Sequence, residues 1–363
     1  MNPSDTLWTL EPHTKGKHLV LKNYLNAWLP ILGRYSGRII FIDGFAGPGK
    51  YKGGEEGSPL IALSALSEHQ SKHNIKAEVG FIFIEKDKQR AHYLESLINA
   101  IQPRLPTNCY VEVINNKFDG TINEIIDMLD EQEKKLAPSF VMVDPFGVSE
   151  TPMEVIRRIL RNPKSEVYIS FMYDYINRFR SNPEFEKHLD ELFGCNEWKD
   201  GIEIDDSMER RQFYYALYEK KLREAGAKHV IHFELYEGNR LIYSIFFGTK
   251  HVLGCDRMKQ AIWKVAPFGD FAFIGVRTTQ LTLGIENPNF EPLKESIINE
   301  FRRKGWIRIE ELHDFVSSDA TDYHSGQYKN VLRELERNEQ IEVDENTRRR
   351  KFSYPEGTKL KIT

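Results

Sequence analysis

The sequence predicts an α/β protein: a mostly parallel sheet with helices on both faces, finished by an antiparallel hairpin and followed by a small helical domain. Three observations carry this. Short β-branched and aromatic runs alternate with helix-period segments through the first two-thirds of the chain. One of those runs, Arg38-Ile-Ile-Phe-Ile-Asp43, enters a glycine-rich turn, Gly44-Phe-Ala-Gly47-Pro-Gly49. Later, two apolar runs are separated only by Tyr236-Glu237-Gly238-Asn239-Arg240, a hairpin-length turn.

In chain order, residues 17–32 place Leu21, Tyr24, Leu25, Trp28 and Leu29 on one helical face, and Gly33 should stop that helix. Residues 39–42 form the first strand. Ser58-Pro59 reads as an N-cap followed by proline at the first helical position, opening a helix to about residue 66. Further strands are expected at 79–84, 110–114, 140–143 and 167–171, with helices filling the gaps. A long helix over 208–225 precedes the paired strands 229–235 and 241–247. A helix over 256–264, with Met258, Ile262 and Trp263 inward, then leads out of the domain. This is the order of a Rossmann-like class I methyltransferase sheet.

Composition bounds the alternatives. At 363 residues the chain has room for two or three cores, and its net charge of −4 gives no global nucleic-acid signature. Cys109, Cys195 and Cys255 make no C-x-x-C or metal spacing, so a reducing, cytoplasmic setting is expected. Residues 1–14 lack the apolar core of a signal peptide, and no apolar run reaches the ~20 residues of a membrane helix. His229 and His232 have no third ligand nearby and fall on opposite faces of a strand, so no metal is expected. A G-x-S-x-G nucleophile motif is absent.

The glycine turn admits two readings. Gly44-x4-Gly49-Lys50 matches most of a P-loop, which would make the chain a Mg-ATP enzyme. Tyr51, however, stands where a magnesium-binding hydroxyl belongs, and Pro48 removes an N–H from the phosphate cradle. The D-x-F-x-G-x-G turn of class I S-adenosylmethionine-dependent methyltransferases fits Asp43, Phe45, Gly47 and Gly49 without substitution. Gly44 shares the turn. Glu85 ends the second strand, where an acid accepts hydrogen bonds from both ribose hydroxyls. It lies 36 residues beyond Gly49, and an extended loop over 50–57 explains the gap if a helix begins at Ser58. In the loop after the third strand, Asn116, Phe118 and Asp119 are candidates for the adenine pocket.

The fourth strand ends in Asp144-Pro145-Phe146-Gly147. Enzymes that methylate exocyclic amines carry [DN]-P-P-[YFW] here. An oxygen acceptor orients a poorly nucleophilic amine, proline stiffens the turn, and the aromatic stacks on a flipped base. In this chain Phe146 stands at the second proline and Gly147 at the aromatic. Asp144, Pro145 and Phe146 are therefore the candidate catalytic residues, and the stacking ring is displaced by one position. Four apolar residues and an acid also resemble a Walker B strand.

Taken together, Phe-Ile-Asp-Gly-Phe-Ala-Gly-Pro-Gly-Lys-Tyr, Gly-Glu-Glu-Gly-Ser-Pro-Leu, Phe-Ile-Glu-Lys-Asp and Val-Asp-Pro-Phe-Gly resemble the three-Cys-motif partner protein family of bacteria and phages. His13-Thr14, Tyr24-Leu25-x-x-Trp28-Leu29-Pro30, Phe247-Gly248-Thr249 and Met258-Lys259-x-Ala261-x-Trp263-Lys264 extend the resemblance over essentially the whole chain. It implies a methyltransferase-like Rossmann domain over 1–284, a winged helix over 285–363, and S-adenosylmethionine as cofactor. It also implies a partner carrying three cysteines, with radical S-adenosylmethionine chemistry as one option for it.

The C-terminal third has its own pattern. A linker near residue 285 precedes helices at 293–301, 310–316 and 326–337 and a short strand at 306–309. Residues 341–343 and 351–354 are expected to pair as a wing. From residue 291 onward acids outnumber bases by 15 to 14, unlike a dedicated DNA reader. Arg348, Arg349, Arg350 and Lys351 nevertheless cluster where a wing would touch phosphates. The expected activity is methylation of a nucleic acid, DNA in preference to RNA, at a base amine. The alternative is a non-catalytic, cofactor-sensing subunit that docks DNA or a partner protein.

Overall fold

The computed structural model describes residues 6–267, 272–274 and 288–363. The expected linker near residue 285 lies outside them. The elements run α1 (Pro12–Tyr35), β1 (Arg38–Asp43), α2 (Ser58–Ser67), β2 (Glu78–Ile84), α3 (Lys88–Ile101), β3 (Cys109–Ile114), α4 (Phe118–Glu131) and β4 (Ser139–Val143). They continue with α5 (Met153–Leu160), β5 (Ser165–Phe171), α6 (Tyr173–Phe179), α7 (Pro183–Phe193), α8 (Ser207–Glu224), β6 (His229–Glu237) and β7 (Arg240–Thr249). Then come α9 (Val252–Trp263), β8 (Ala272–Ile274), α10 (Glu291–Phe301), β9 (Ile307–Arg308), α11 (Ile309–Ser317), α12 (Tyr328–Arg337), β10 (Ile341–Val343) and β11 (Lys359–Ile362).

The large sheet has the order β3-β2-β1-β4-β5-β7-β6-β8. The first five strands are parallel, and β7 runs antiparallel to both β5 and β6. This mixed α/β sheet is the Rossmann-like methyltransferase arrangement the sequence predicts. Strand alternation sorts its two faces. Phe41, Phe81, Phe83, Phe140, Tyr168 and Phe247 point one way and are buried, and Tyr24 of α1 meets Phe140 and Phe247 with ring centroids 5.2 Å apart. Ile42, Ile84, Val141, Val143 and Ile169 point the other way onto Phe118, Ile122 and Ile156.

Several local expectations change. Helix α1 begins earlier, at Pro12, whose missing N–H is one the first turn would leave unpaired anyway. It also runs through Gly33 to Tyr35. Gly33 is there for close approach, since a Cβ would come within 2.6 Å of Ile75 Cγ2. Gly57, not Ser58, is the N-cap of α2, and Ser58 is its first residue. The β6–β7 turn tightens to Gly238-Asn239, with Glu237 paired to Arg240 and Gly238 at φ 58°. The expected strand at 351–354 is not formed. β10 pairs instead with β11, whose alternating Leu360 and Ile362 are buried; Phe352 sits at φ 61°, outside the extended region.

The chain divides into two compact units, residues 1–251 with 273–276, and residues 252–272 with 277–363. In the second, α10, α11 and α12 enclose Leu293, Ile297, Leu312, Val316, Leu332 and Leu335, and β10-β11-β9 form an antiparallel sheet. Helix α9 belongs to this unit. Its buried Lys259 donates to the carbonyls of Val316 (2.6 Å), Ser318 and Thr321 (3.0 Å), closing the C-terminal end of α11. Among the described residues, no helix is long and apolar enough to cross a membrane.

Candidate functional site

The site forms where β1, β2 and β4 end. Asp43 closes β1, wholly buried, and its Oδ1 accepts from the Phe45 amide (3.1 Å). Its Oδ2 is closed off without a hydrogen-bond partner. Burial pushes the Asp43 carboxyl up to about 7, against the Phe45 amide and a Ser58 hydroxyl that lies near without hydrogen-bond geometry. The turn that follows needs its glycines. Gly47 and Gly49 take φ of 61° and 79°, and a Cβ on Gly44 would sit 2.3 Å from the Phe118 ring. The Gly57 amide donates to Gly49 O (2.8 Å) and Lys50 bridges to Glu56, so residues 50–56 fold into a closed loop.

Glu85 is reached from this turn, because the Gly47 amide donates to its Oε2 (2.9 Å). Its Oε1 accepts from the Asp87 amide (2.8 Å) and from Arg90 (3.1 and 3.2 Å). A carboxylate offers about four acceptor positions. Oε1 is therefore saturated and only Oε2 has room, so the expectation that Glu85 holds both ribose hydroxyls reduces to one bond. Trp8, from the segment ahead of α1, lies over Gly47, stacks with the Arg90 guanidinium at 5.2 Å and meets Phe146 edge-on at 5.0 Å.

A narrow cavity of about 60 Å³ collects Gly44, Phe45, Glu85, Asn116, Phe118 and Phe146. The sequence named all six. Phe45 and Phe118 rings lie 5.5 Å apart beside it, and Lys86, bonded to Glu150, forms part of its wall. Asp119 is elsewhere: it is the second residue of α4, with a buried, unpartnered Oδ1, and does not line the cavity. Lys50 also points away, lining a separate 320 Å³ groove with Leu60, Leu97 and Arg104. A P-loop lysine would have to reach the turn's phosphate side, so this placement removes the basis of the Mg-ATP reading.

On the other side of Phe146 a cleft of about 510 Å³ opens, lined by Asp144, Pro145, Phe146, His13, Lys17 and Tyr243 among others. Phe146 is 52 % exposed and borders both spaces. Each oxygen of Asp144 already has one donor. Its Oδ2 is ion-paired with Lys17 and its Oδ1 accepts from the Ser170 hydroxyl. Burial opposes charge on Asp144, but the Lys17 ammonium and these hydrogen bonds outweigh it and hold the carboxyl below its usual range. Burial likewise opposes charge on Lys17, yet Asp144 lifts its pKa above the ordinary lysine value. The role expected for Asp144, accepting one N–H of a target amine while the carbonyl after it accepts the other, needs one acceptor position, and each oxygen keeps one beside its present donor.

Lys17 is the site residue the sequence reading missed. Its signal was position, because it stands four residues before Leu21 on the stripe that α1 buries. A cation on an apolar stripe needs a buried acid. His18 beside it is held neutral, its pKa driven down to about 3 by burial and then by Lys17.

In the second unit, Arg348 is buried, with bonds to Glu336 (2.6 and 2.8 Å) and Glu345 (2.5 and 3.1 Å). Arg349, Arg350 and Lys351 are exposed. Arg348 thus holds the loop together and leaves the phosphate-facing set. Among the described residues, no three His, Cys, Asp or Glu side chains group to hold a metal ion.

The residues fit S-adenosylmethionine in kind. A buried acid with an orphan oxygen, a glycine turn that side chains would block, and paired aromatic rings lie together at the strand ends.

No family model matches the chain, and no curated protein matches it. Solved structures do. A putative methyltransferase, yhhF, from Escherichia coli is 13% identical with a TM-score of 0.31, over 64% of this chain and 86% of that one. An O-methyltransferase from Bacillus cereus in complex with SAH is 11% identical with a TM-score of 0.33, over 63% and 80%. A putative methylase, HI0767, from Haemophilus influenzae is 16% identical with a TM-score of 0.30, over 63% and 88%. Likeness at this level carries no argument about activity, and the fold rests on the strand order.

Proposed function

We propose that this chain is an S-adenosylmethionine-dependent methyltransferase. One observation carries the reading: Asp43, the glycine turn and Glu85 converge at the carboxyl ends of a methyltransferase-ordered sheet, and Phe146 separates them from a cleft of about 510 Å³. Asp43 and the turn amides would hold the amino-acid end of the cofactor, Glu85 Oε2 the ribose, and Phe118 with Asn116 the adenine. The cofactor supplies an electrophilic methyl group. What the protein contributes is alignment of an acceptor with that methyl and exclusion of water from the site.

For the acceptor we propose a nucleic acid, DNA in preference to RNA, at a base amine, with the exposed Phe146 ring as stacking surface. The element order α10-β9-α11-α12-β10-β11 supports a winged helix. Arg349, Arg350 and Lys351 supply its phosphate contacts in this reading. A three-cysteine partner protein remains the proposed collaborator, on the strength of the resemblance alone.

A second reading has an observation of its own. Gly147 stands at the stacking position with the Phe146 ring displaced by one, and Asp144 is tied to Lys17 and Ser170, as in a subunit that binds cofactor without transferring its methyl group. Calorimetric titration with S-adenosylhomocysteine, beside ATP with Mg²⁺, tests the cofactor. Binding of the first alone is expected, and binding of ATP alone would overturn both readings. Transfer of a labelled methyl group from S-adenosylmethionine to mixed nucleic acid then separates enzyme from sensor.

A further inference from the structure

The cleft beside Asp144 contains two polar atoms that the protein leaves unpaired. His13 Nδ1 and the Tyr243 hydroxyl are both closed off, and neither has a hydrogen-bond partner. Thr14 and Lys17 lie close enough to Tyr243 to favour its ionised form, but neither meets the hydroxyl in hydrogen-bond geometry. Both rings line the cleft, and they meet edge to face with centroids 5.5 Å apart. Orphan buried polar atoms are rare, because each gives up hydration without a replacement. Two of them on adjacent rings, in the wall of the cleft where Asp144-Pro145-Phe146 ends β4, are what a site for a hydrogen-bonding ligand looks like before the ligand arrives.

The chemistry needs a group that Asp144 cannot be. Moving a methyl group from a sulfonium to an N–H nitrogen forms an N–C bond and returns the C–S pair to sulfur. One proton is then in excess on the nitrogen. Asp144, ion-paired with Lys17 and bonded to Ser170, is held ionised and is a poor base, and Lys17 is already protonated in that pair. We propose that His13 and Tyr243 receive the methyl-acceptor nitrogen, the His13 imidazole taking the proton and the Tyr243 hydroxyl fixing the acceptor by a hydrogen bond. This inference rests on the methyltransferase reading.

The surroundings keep His13 able to act. Lys17 faces it from its own helix and Glu11 from the residue before that helix. Glu237 and Tyr243 face it from the β6–β7 hairpin, and Asp144 from the end of β4. Burial and then Lys17 lower its pKa, against Glu237, Glu11 and Asp144, so the imidazole is neutral near pH 7 and one ring nitrogen keeps a lone pair. Burial raises the Tyr243 pKa, which keeps its proton in place for donation.

The test uses the full chain saturated with S-adenosylhomocysteine or with sinefungin, whose amine stands where the sulfonium methyl would. Nitrogen-detected NMR of the His13 ring should show a neutral imidazole through the neutral range and a shift of its lone-pair nitrogen when sinefungin replaces S-adenosylhomocysteine. A ring that titrates at the ordinary histidine value, or that ignores the exchange, would overturn the proposal. In methyl transfer to nucleic acid, H13Q should lower kcat by about 10²-fold or more with KM little changed, and added imidazole should restore part of the rate of H13A. Y243F should raise the acceptor KM about tenfold while the pH profile stays in place. H13Q with wild-type kcat and intact S-adenosylhomocysteine affinity sinks this proposal alone. Absence of that affinity in the wild-type chain sinks the methyltransferase reading and this proposal with it.

Discussion

Asp144 and Lys17 show how one residue's role is set by another 127 positions away. Read alone, an acid after the fourth strand is an acceptor for a substrate amine. Paired with a buried lysine and a serine hydroxyl, it anchors the floor of the cleft. Lys17→Met should therefore leave an uncompensated carboxylate and destabilise the chain by about 3–5 kcal/mol, as should Asp144→Ala by leaving the ammonium. The double change, Lys17→Met with Asp144→Asn, should recover much of that loss in urea unfolding. A loss in the double variant equal to the sum of the single losses would mean the pair does not act as a unit. The glycine turn gives a second residue-scale test. Gly44→Ala would drive a methyl into the Phe118 ring and should cost about 1–3 kcal/mol and weaken S-adenosylhomocysteine binding. Adding Phe118→Leu should restore part of the stability. No restoration would mean that the clash is not the cause.

At the scale of elements, α1 couples the cofactor side of the sheet to its outer strands. It brings His13, Lys17 and His18 to the site at one end, and Tyr24 further along donates to Glu166 Oε2 (2.6 Å). Thr249 of β7 donates to the other oxygen of Glu166 (2.7 Å), whose carboxyl burial pushes up to about 7. These groups give the helix a worked pH dependence. His18 is lowered in the fold to about 3 from an unfolded value near 6.5, so the unfolded chain binds more protons between the two. Its contribution to stability is present above pH 6.5 and is lost as pH falls toward 3. Asp43 and Glu166 act with the opposite sign: their raised values mean stability declines as pH rises from about 4 to 7. His18→Gln should consequently flatten the acid limb of the stability–pH curve relative to wild type, read by thermal unfolding across that range. An unchanged limb would show that His18 is not held neutral.

For the whole molecule, the two compact units divide the proposed labour between methyl transfer and substrate capture. Arg348 and its neighbours separate capture from mere stability. Arg348→Ala should destabilise the second unit, since it strands Glu336, without changing the salt dependence of nucleic-acid binding. Replacing Arg349, Arg350 and Lys351 with Glu should leave folding intact and reduce the log–log salt slope by about 3, near 0.9 for each phosphate the chain no longer neutralises. Equal slopes would remove phosphate recognition from this loop.

The sequence by itself determined the sheet. Strand alternation, helix period and glycine placement are local properties, and they located Asp43, Glu85 and the Phe45–Phe118 cavity because parallel strands align their carboxyl ends. It was also enough to foresee three helices after residue 290. Tertiary structure alone decided the partners. It pairs Lys17 with Asp144, fills Glu85 with Arg90 and two amides, lays Trp8 over Gly47, and gives β10 the strand at 359–362. Each depends on which side chains meet across long sequence separations. In a buried site a charge or a hydrogen-bonding atom acts according to the partner it finds there.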